Sequence, residues 1–307
     1  MVFIRELARA ITGADRGKRN ILVLKFYCDE SFDSDPKRDP TGIIDGKYVP
    51  RTFVVGGFLA EERIWTRLER RWSKCNEFFG IKRYHGTYVN AHDGEFLGWE
   101  PKKLNAYSGR LLRILGDQKR YLCAVSCGLK SRDYHQIISD AGRAKWGNPY
   151  IVCFKQCIAL IAQLMSNLPP DYRFSVLVDR SDFQEEASKV FDVMKFDSNW
   201  KDHDRLVTCT PGSVEDFIAL EPADLIAYET FRLFDTIHKE AVGVRYALRA
   251  IFPQNAFVSN AWDAKRLNDL KVPIENAPVA QNGFIILSPE VALDDQRFQL
   301  LSEIQYV

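Results

Sequence analysis

The chain has 307 residues, and its 42 Lys and Arg residues nearly balance 41 Asp and Glu residues, for a formal net charge of +1. With 46% hydrophobic residues it is too apolar for a disordered chain, and no apolar run approaches the roughly 18 residues of a membrane span. The charge balance argues against a protein that coats nucleic acid through bulk positive charge, but it leaves room for a local basic groove.

The N-terminal half alternates between helical and strand patterns. An amphipathic helix is predicted over residues 3–12, and the apolar run over 21–28 predicts a strand buried on both faces. That strand ends at Asp29-Glu30-Ser31, and the polar stretch over 32–50 predicts an exposed loop. The patterns that follow predict a strand over 52–58, a helix over 61–79, a helix over 102–115 and a strand over 120–129.

The C-terminal half continues this alternation. A second apolar strand is predicted over residues 172–178, and it also ends in an acid, Asp179. Asp182 is predicted to cap the helix that follows. The other predicted elements are helices over 150–167, 184–194 and from about 220, with strands over 205–210 and 283–287. The pattern predicts one α/β domain over 1–307, with a core of about 20–235 and a C-terminal extension over 236–307 that packs on it.

Cysteine usage and the N-terminus indicate a reduced, cytoplasmic protein. The N-terminus has no secretory apolar region, and the seven cysteines lie in apolar segments. Two pairs, Cys123 with Cys127 and Cys153 with Cys157, are spaced i, i+4 rather than as the C-x₂-C of zinc ribbons. We interpret them as buried apolar residues rather than zinc ligands.

Three acids stand out because each follows or interrupts an apolar segment. Asp29 and Asp179 end the two most apolar strands, and Asp224 lies in the predicted first turn of an apolar helix. If the two strands are parallel neighbours, both acids lie at the edge of the sheet where α/β proteins bind ligands. An acid among apolar residues is costly without a partner, so Asp224 is expected to find one.

Three converging carboxylates repel one another, so a cation is expected between them. Carboxylate oxygens without clustered His or Cys favour Mg²⁺ or Mn²⁺, which activate water and stabilise phosphoryl displacement. Simpler alternatives stay open at this point. Asp29 could cap a turn, and Asp224 could be an acid favoured by the helix dipole.

Four motifs carry a resemblance to a known family, and they occur in the order Tyr27–Ser31, Phe53–Phe58, Val176–Asp179 and Pro222–Tyr228. Together they resemble the bacterial and phage domain-of-unknown-function family 3800, and the resemblance covers about residues 20–235. Its members open with an apolar strand ending in Asp-Glu-Ser and close with a Gln-Leu-Ala-Asp-Leu-hydrophobic-Ala helix. The resemblance implies a ribonuclease H-like fold, a mixed β-sheet flanked by helices, here with helical insertions and the C-terminal extension.

The resemblance also implies site residues. Asp29, Asp179 and Asp224 match the family's metal-binding acids, and Glu30 is a further candidate, although in an unbroken strand it points to the opposite face. His85 matches a family histidine that could orient a phosphate or shuttle a proton, or it could be an ordinary loop histidine. Glu221 departs from the family's glutamine, and it could join the metal ligands or cap the helix.

A basic stripe on the predicted helix over 61–79 admits two interpretations. Its members recur at three- and four-residue intervals and are Arg63, Arg67, Arg70, Arg71 and Lys74. Such a stripe could follow a phosphate backbone. The interspersed glutamates favour a solvent-exposed face instead.

These observations lead to a primary hypothesis and two alternatives. The primary hypothesis is a Mg²⁺- or Mn²⁺-dependent nuclease that hydrolyses DNA or RNA, with a role in phage defence or mobile elements. Nucleic acid is then its partner, and no membrane is involved. The alternatives are a non-catalytic ribonuclease H-like binding or regulatory module, and a hydrolase of another phosphorylated substrate. Motifs for a phosphate-binding P-loop, a serine nucleophile elbow and a zinc protease are absent from the sequence.

Overall fold

The structure is a computed structural model, and it describes residues 22–33, 42–44, 46–118, 121–166, 168–169, 171–236 and 257–276. The helix predicted over 3–12 and the strand predicted over 283–287 lie outside the described residues. In the described part, the strands are β1 (Leu22–Phe32), β2 (Ile43–Ile44), β3 (Lys47–Tyr48), β4 (Phe53–Glu61), β5 (Cys123–Leu129), β6 (Tyr172–Asp179), β7 (Leu206–Gly212) and β8 (Phe257–Trp262).

The helices surround this framework. In chain order they are α1 (Glu62–Phe79), α2 (Gly86–Ala91), α3 (Pro101–Asp117), α4 (Ser131–Ile137), α5 (Asp140–Trp146), α6 (Pro149–Met165), α7 (Gln184–Phe196), α8 (Leu220–Thr236) and α9 (Ala264–Asn276). Among the described helices, none has the length and apolar composition needed to cross a membrane.

Six strands form one mixed sheet in the order β7-β6-β1-β4-β5-β8. Strand β4 is antiparallel to both of its neighbours, β1 and β5, whereas the remaining pairs are parallel. The expectation of an α/β protein with a mixed sheet flanked by helices is therefore confirmed. The parallel pairing of β1 with β6 matters most for function, because it brings two strands with acidic ends side by side.

Alternation along β1 divides the core between the two faces of the sheet. Phe26 and Cys28 belong to the apolar cluster that includes α6, whereas Tyr27 belongs to the cluster that includes α1, α3 and α8. Successive side chains of a strand point to opposite faces, so burial on both faces requires the continuous apolar run seen in the sequence. Helix α6 is itself buried almost all round, which accounts for its apolar composition.

Two predicted boundaries differ from the structure. Strand β1 does not end at Cys28, because the next four residues continue to pair with β4, from Asp29 opposite Gly56 to Phe32 opposite Phe53. The segment predicted as an exposed loop over 32–50 contains the short antiparallel pair of β2 and β3. Long-range pairing with β4 extends β1, and a local hairpin forms β2 and β3, in residues whose composition is typical of turns.

Two predicted helix positions are also wrong. Asp182 is not the cap of α7, because that helix begins at Gln184 and Phe183 occupies the cap position without a side-chain hydrogen bond. Asp224 lies one turn inside α8, and Glu221 is the acid of the first turn. Helices α2, α4 and α5 were not predicted, because each is only six or seven residues long. The predicted C-terminal extension contributes the edge strand β8 and helix α9.

The cysteines behave as apolar residues. Six of the seven are buried, Cys209 is half-buried, and all are free thiols. The Sγ atoms of Cys153 and Cys157, on α6, lie against the backbone carbonyls of Phe53 and Val55 at 3.7 and 3.5 Å. The i, i+4 spacing therefore places both thiols on the face of α6 that packs on the sheet.

Candidate functional site

Asp29 and Asp179 end up as neighbours because their strands are parallel. The last registered pair between β1 and β6 joins Cys28 to Val178, and each acid is the next residue on its strand. Tyr27 and Leu177, two residues earlier, both pack with the cluster on the α8 face. Side chains two residues apart on a strand share a face, so both acids point toward α8 at one edge of the sheet.

Helix α8 adds the third acid by packing directly on β1 and β4. Gly56, which pairs with Asp29, permits this approach, since a Cβ atom there would lie 3.1 Å from Cα of Ala227. Asp224 lies nearly one helical turn before Ala227. The close approach of Ala227 to Gly56 therefore also brings Asp224 near Asp29. The glycine pair noted in β4 thus marks a close approach of helix to sheet.

The charges of Asp179 and Asp224 act on the carboxyl group of Asp29. Burial and the charges of Asp224, Glu30 and Asp179 raise the pKa of Asp29 well above its usual range. Burial also raises the pKa of Asp179. The hydrogen bond from the Arg180 backbone N–H lowers this pKa, and the charge of Asp224 raises it. The side chains of Asp179 and Asp224 keep 17% and 12% of their area exposed, so solutes can still reach the group. We call Asp29, Asp179 and Asp224 the carboxylate group.

Glu30 lies on the other face of the sheet. Strand β1 is unbroken through this residue, so its side chain leaves on the face of Cys28 and α6. Burial raises the pKa of Glu30 to about 7, while a hydrogen bond from the Ser181 side chain lowers it and the charge of Asp179 raises it. Glu30 therefore approaches Asp179 from behind the strand ends instead of sharing the α8 face with Asp29.

The segment that precedes α2 runs alongside α8 and holds His85 at the margin of the carboxylate group. Oδ2 of Asp224 accepts a 2.8 Å hydrogen bond from the backbone N–H of Gly86. Nδ1 of His85 is buried 3.3 Å from the same oxygen, although the histidine side chain as a whole is 39% exposed. The exposed part of the ring is therefore the part away from Asp224. The structure thus brings His85 together with Asp224.

Glu221 is held elsewhere by the protein itself. Its Oε2 accepts hydrogen bonds from Nε1 of Trp72 at 2.6 Å and from Nδ2 of Asn76 at 2.9 Å, and the backbone N–H of Tyr84 also donates to this carboxylate. Burial raises the pKa of Glu221 to about 7 despite these donors. The structure does not bring Glu221 to the carboxylate group, and the residue instead links α8 to α1.

Two arginines that are not among the predicted site residues lie beside the acids. A guanidinium nitrogen of Arg83 is 3.8 Å from Oδ2 of Asp179, and its positive charge lowers the pKa of that carboxyl. Arg180 follows Asp179 directly. Hydrogen bonds from the Glu215 backbone N–H and from Ser213 lower the pKa of the Glu215 carboxyl, and the charges of both arginines lower it further. The available signal was their position, since each is within two residues of a predicted site residue.

The basic stripe is separate from this arrangement. Arg63, Arg67, Arg70 and Lys74 are exposed, and Arg71 pairs with Asp117 of α3 at 2.6 Å. The buried face of α1 is formed instead by its apolar residues, among them Trp65, Leu68 and Trp72. This placement agrees with the interpretation of the stripe as a solvent-facing surface.

The donor chemistry of the carboxylate group fits a hard divalent cation. The three acids supply only oxygen donors, and their mutual repulsion is the strain that a bound cation relieves. Within the described residues, no three His, Cys, Asp or Glu side chains are already grouped as a metal site. To hold one ion between them, the side chains of the three acids would have to move closer together.

Comparisons with models of protein families, with curated proteins and with solved structures found no match to this chain.

Proposed function

We propose that the protein is a Mg²⁺- or Mn²⁺-dependent nuclease that hydrolyses phosphodiester bonds of DNA or RNA. The observation that carries this proposal is the carboxylate group, in which Asp29 and Asp179 end neighbouring parallel strands on the face where α8 packs with Asp224. Burial, together with the charges of Asp224, Glu30 and Asp179, raises the pKa of Asp29. A mixed sheet with β1 parallel to β6 and antiparallel to β4 is compatible with the ribonuclease H-like fold implied by the resemblance to family 3800.

The roles of the acids follow from their positions. Asp29, Asp179 and Asp224 would hold the cation, and Glu30 would tune Asp179 from the opposite face of the sheet. When bound, such an ion activates water and stabilises the charge that develops on the phosphate. The hydrogen bond from Gly86 to Oδ2 of Asp224 fixes the orientation of that carboxylate before any ion arrives.

His85 and Arg83 supply the remaining polar groups. Arg83 is exposed and lies beside Asp179, so its guanidinium can bind a phosphate oxygen of the nucleic acid in the fork geometry that arginine favours. The exposed side of the His85 ring can exchange a proton with the attacking water or the leaving oxygen, while Nδ1 stays beside Asp224.

The direct test is cleavage of single- and double-stranded DNA and RNA in Mg²⁺, in Mn²⁺ and in EDTA. We expect cleavage only with the metals, and at least about a 100-fold loss for Asp29→Asn, since the carboxylate charge is removed from the ion. Asp117→Asn is the matched control, because Asp117 lies on the surface in a pair with Arg71. Equal cleavage by wild type and Asp29→Asn would contradict the proposal, as would no cleavage of any of the substrates.

A further inference from the structure

An exposed tyrosine lies against the histidine ring that borders the carboxylate group. The ring centroids of Tyr88 and His85 are 4.4 Å apart, and the two rings are tilted by 38° to each other. On its other side, His85 places Nδ1 3.3 Å from Oδ2 of Asp224. Side-chain contacts in space, and not only neighbouring positions in the chain, therefore join Tyr88 to the carboxylate group.

Tyr88 is held in place by the structure around it. Its carbonyl oxygen accepts hydrogen bonds from the backbone N–H groups of His92 and Asp93, where α2 ends. Its ring also lies against Gly94, where a Cβ atom would come within 2.9 Å of Cδ2 of Tyr88. Tyr88 nevertheless stays 43% exposed. A residue that is fixed by its neighbours thus presents part of a flat aromatic ring to solvent.

The segment that leads to Tyr88 is basic. Lys82 and Arg83 are both exposed, and the guanidinium of Arg83 lies 3.8 Å from Oδ2 of Asp179. The carboxylate of Glu95 accepts hydrogen bonds from the backbone N–H groups of Lys82 and Arg83 at 2.8 and 3.1 Å, which fixes this part of the segment. Exposed aromatic rings beside basic side chains are typical of surfaces that bind single-stranded nucleic acid.

We propose that Tyr88 is a stacking platform for one unpaired base of the nucleic acid, and that the protein therefore selects single strands. The inference rests on the proposed nuclease function and deepens it by naming the form of the substrate. With a phosphate at the carboxylate group, a neighbouring base can stack on the exposed part of the Tyr88 ring. In a duplex each base is already paired and stacked, so it would have to be extruded at a cost before it could reach the ring.

Stacking on Tyr88 should discriminate little among the four bases, because every base has a flat face. Exposure of an aromatic ring is not enough by itself, and Phe78 provides the comparison. Phe78 is 70% exposed at the end of α1, but the guanidinium of Arg110 covers its ring at 4.7 Å from the centroid. Phe78→Ala is therefore the matched control, since it removes an exposed ring from a different surroundings.

The experiment measures binding of single strands by fluorescence anisotropy in EDTA, so that it does not depend on a bound metal or on cleavage. An oligothymidylate is compared with an abasic strand of equal length, which carries the same phosphates without bases. We expect the wild type to bind the oligothymidylate at least about fivefold more tightly, the lower end of the effect of stacking one base on an aromatic ring. Tyr88→Ala should lose this preference, whereas Tyr88→Phe, Tyr88→Trp and Phe78→Ala should keep it.

The preference for single strands is tested with the same proteins and duplex DNA. Tyr88→Ala should weaken binding of the oligothymidylate at least about fivefold and leave the affinity for the duplex unchanged, because paired bases do not reach the ring. Tyr88→Leu keeps an apolar side chain without a ring and should behave like Tyr88→Ala. It decides the question if Tyr88→Ala does not fold.

Four results would overturn the inference. They are equal binding of the oligothymidylate and the abasic strand by the wild type, an unchanged preference in folded Tyr88→Ala or Tyr88→Leu, an equal loss in Phe78→Ala, and an equal weakening of duplex binding. The proposed nuclease function is judged separately by the cleavage assay with Asp29→Asn. Metal-dependent cleavage without a preference for bases would refute the platform alone, and base-dependent binding without cleavage would refute the nuclease alone.

Discussion

Oδ2 of Asp224 lies 3.3 Å from Nδ1 of His85, and it accepts a hydrogen bond from the neighbouring backbone N–H of Gly86. One acid of the carboxylate group therefore links α8 to the segment before α2, across 138 residues of sequence. Gly86 makes this contact possible, since a Cβ there would come within 2.9 Å of Cβ of Tyr228. His85 is consequently held beside Asp224 at the margin of the carboxylate group.

Replacing His85 tests whether its ring takes part in proton transfer. We expect His85→Ala to lower kcat by about 100-fold, the lower end of the usual contribution of general acid–base catalysis. KM should change little, because the ring is not needed to bind the phosphate backbone. Steady-state kinetics in saturating Mn²⁺ measure both constants. His203→Ala is the control, since His203 lies beside β7 with Nδ1 near the Lys195 carbonyl, and an equal loss in both variants would rule out a specific role.

Arg83 should affect substrate binding more than chemistry. We expect Arg83→Ala to weaken nucleic acid binding by about tenfold and to reduce its salt dependence, because one phosphate contact is lost. Arg67→Ala on the exposed face of α1 should leave both nearly unchanged. Fluorescence anisotropy at several salt concentrations measures the affinities. A larger effect of Arg67→Ala would mean that the basic stripe, and not Arg83, follows the phosphate backbone.

Gly56 should be intolerant of a side chain because α8 lies directly over it. A methyl group at Gly56 would press on Cα of Ala227 at 3.1 Å, so Gly56→Ala should destabilise the fold by about 1–3 kcal/mol, as overpacking usually does. It should also reduce cleavage by moving Asp224. Gly109→Ala makes the same change where nothing lies within 4 Å, in the middle of α3, and should stabilise the chain by about 0.5–1 kcal/mol.

Urea unfolding of the two glycine variants supplies the free energies of unfolding. Equal stability of Gly56→Ala and wild type would show that α8 does not depend on this close approach. Destabilisation with full activity would show instead that Asp224 keeps its position when the helix moves.

The buried carboxylate of Glu221 should make stability depend on pH. Its pKa is raised to about 7 in the folded chain, from 4.5, so the folded state binds more protons than the unfolded state between these values. The free energy of unfolding should therefore fall as pH rises from about 4.5 to about 7, by about 3 kcal/mol in all, since a tenfold change in proton affinity corresponds to about 1.4 kcal/mol.

Glu221→Gln keeps an oxygen acceptor for Trp72 and Asn76 but cannot ionise. The free energy of unfolding of Glu221→Gln should fall less over this pH range than that of the wild type. The difference between the two chains gives the contribution of Glu221 apart from the other acids with raised pKa values. Urea unfolding in EDTA at intervals between pH 4.5 and pH 7.5 measures both chains. Parallel curves would mean that Glu221 ionises as easily in the folded chain as in the unfolded one.

The sequence alone singled out the three acids of the carboxylate group. An apolar run that ends in an acid is a local pattern, and both Asp29 and Asp179 do follow such runs at the same edge of the sheet. The same local patterns predicted α1, α3, α6 and the α/β class, whereas the mixed sheet was implied by the family resemblance. These features depend on residues close together in the chain, where hydrophobic periodicity reports burial directly.

The rest was decided by contacts between distant segments. Pairing with β4 keeps β1 extended past Asp29, and this alone puts Glu30 on the opposite face of the sheet. Glu221 accepts a hydrogen bond from Trp72, 149 residues away in the sequence. This contact holds its carboxylate apart from the three acids that it was predicted to join as a metal ligand. The contact between Arg83 and Asp179 likewise joins two segments that are far apart in the sequence. Sequence periodicity reports which side chains are buried, whereas tertiary packing determines which buried groups meet.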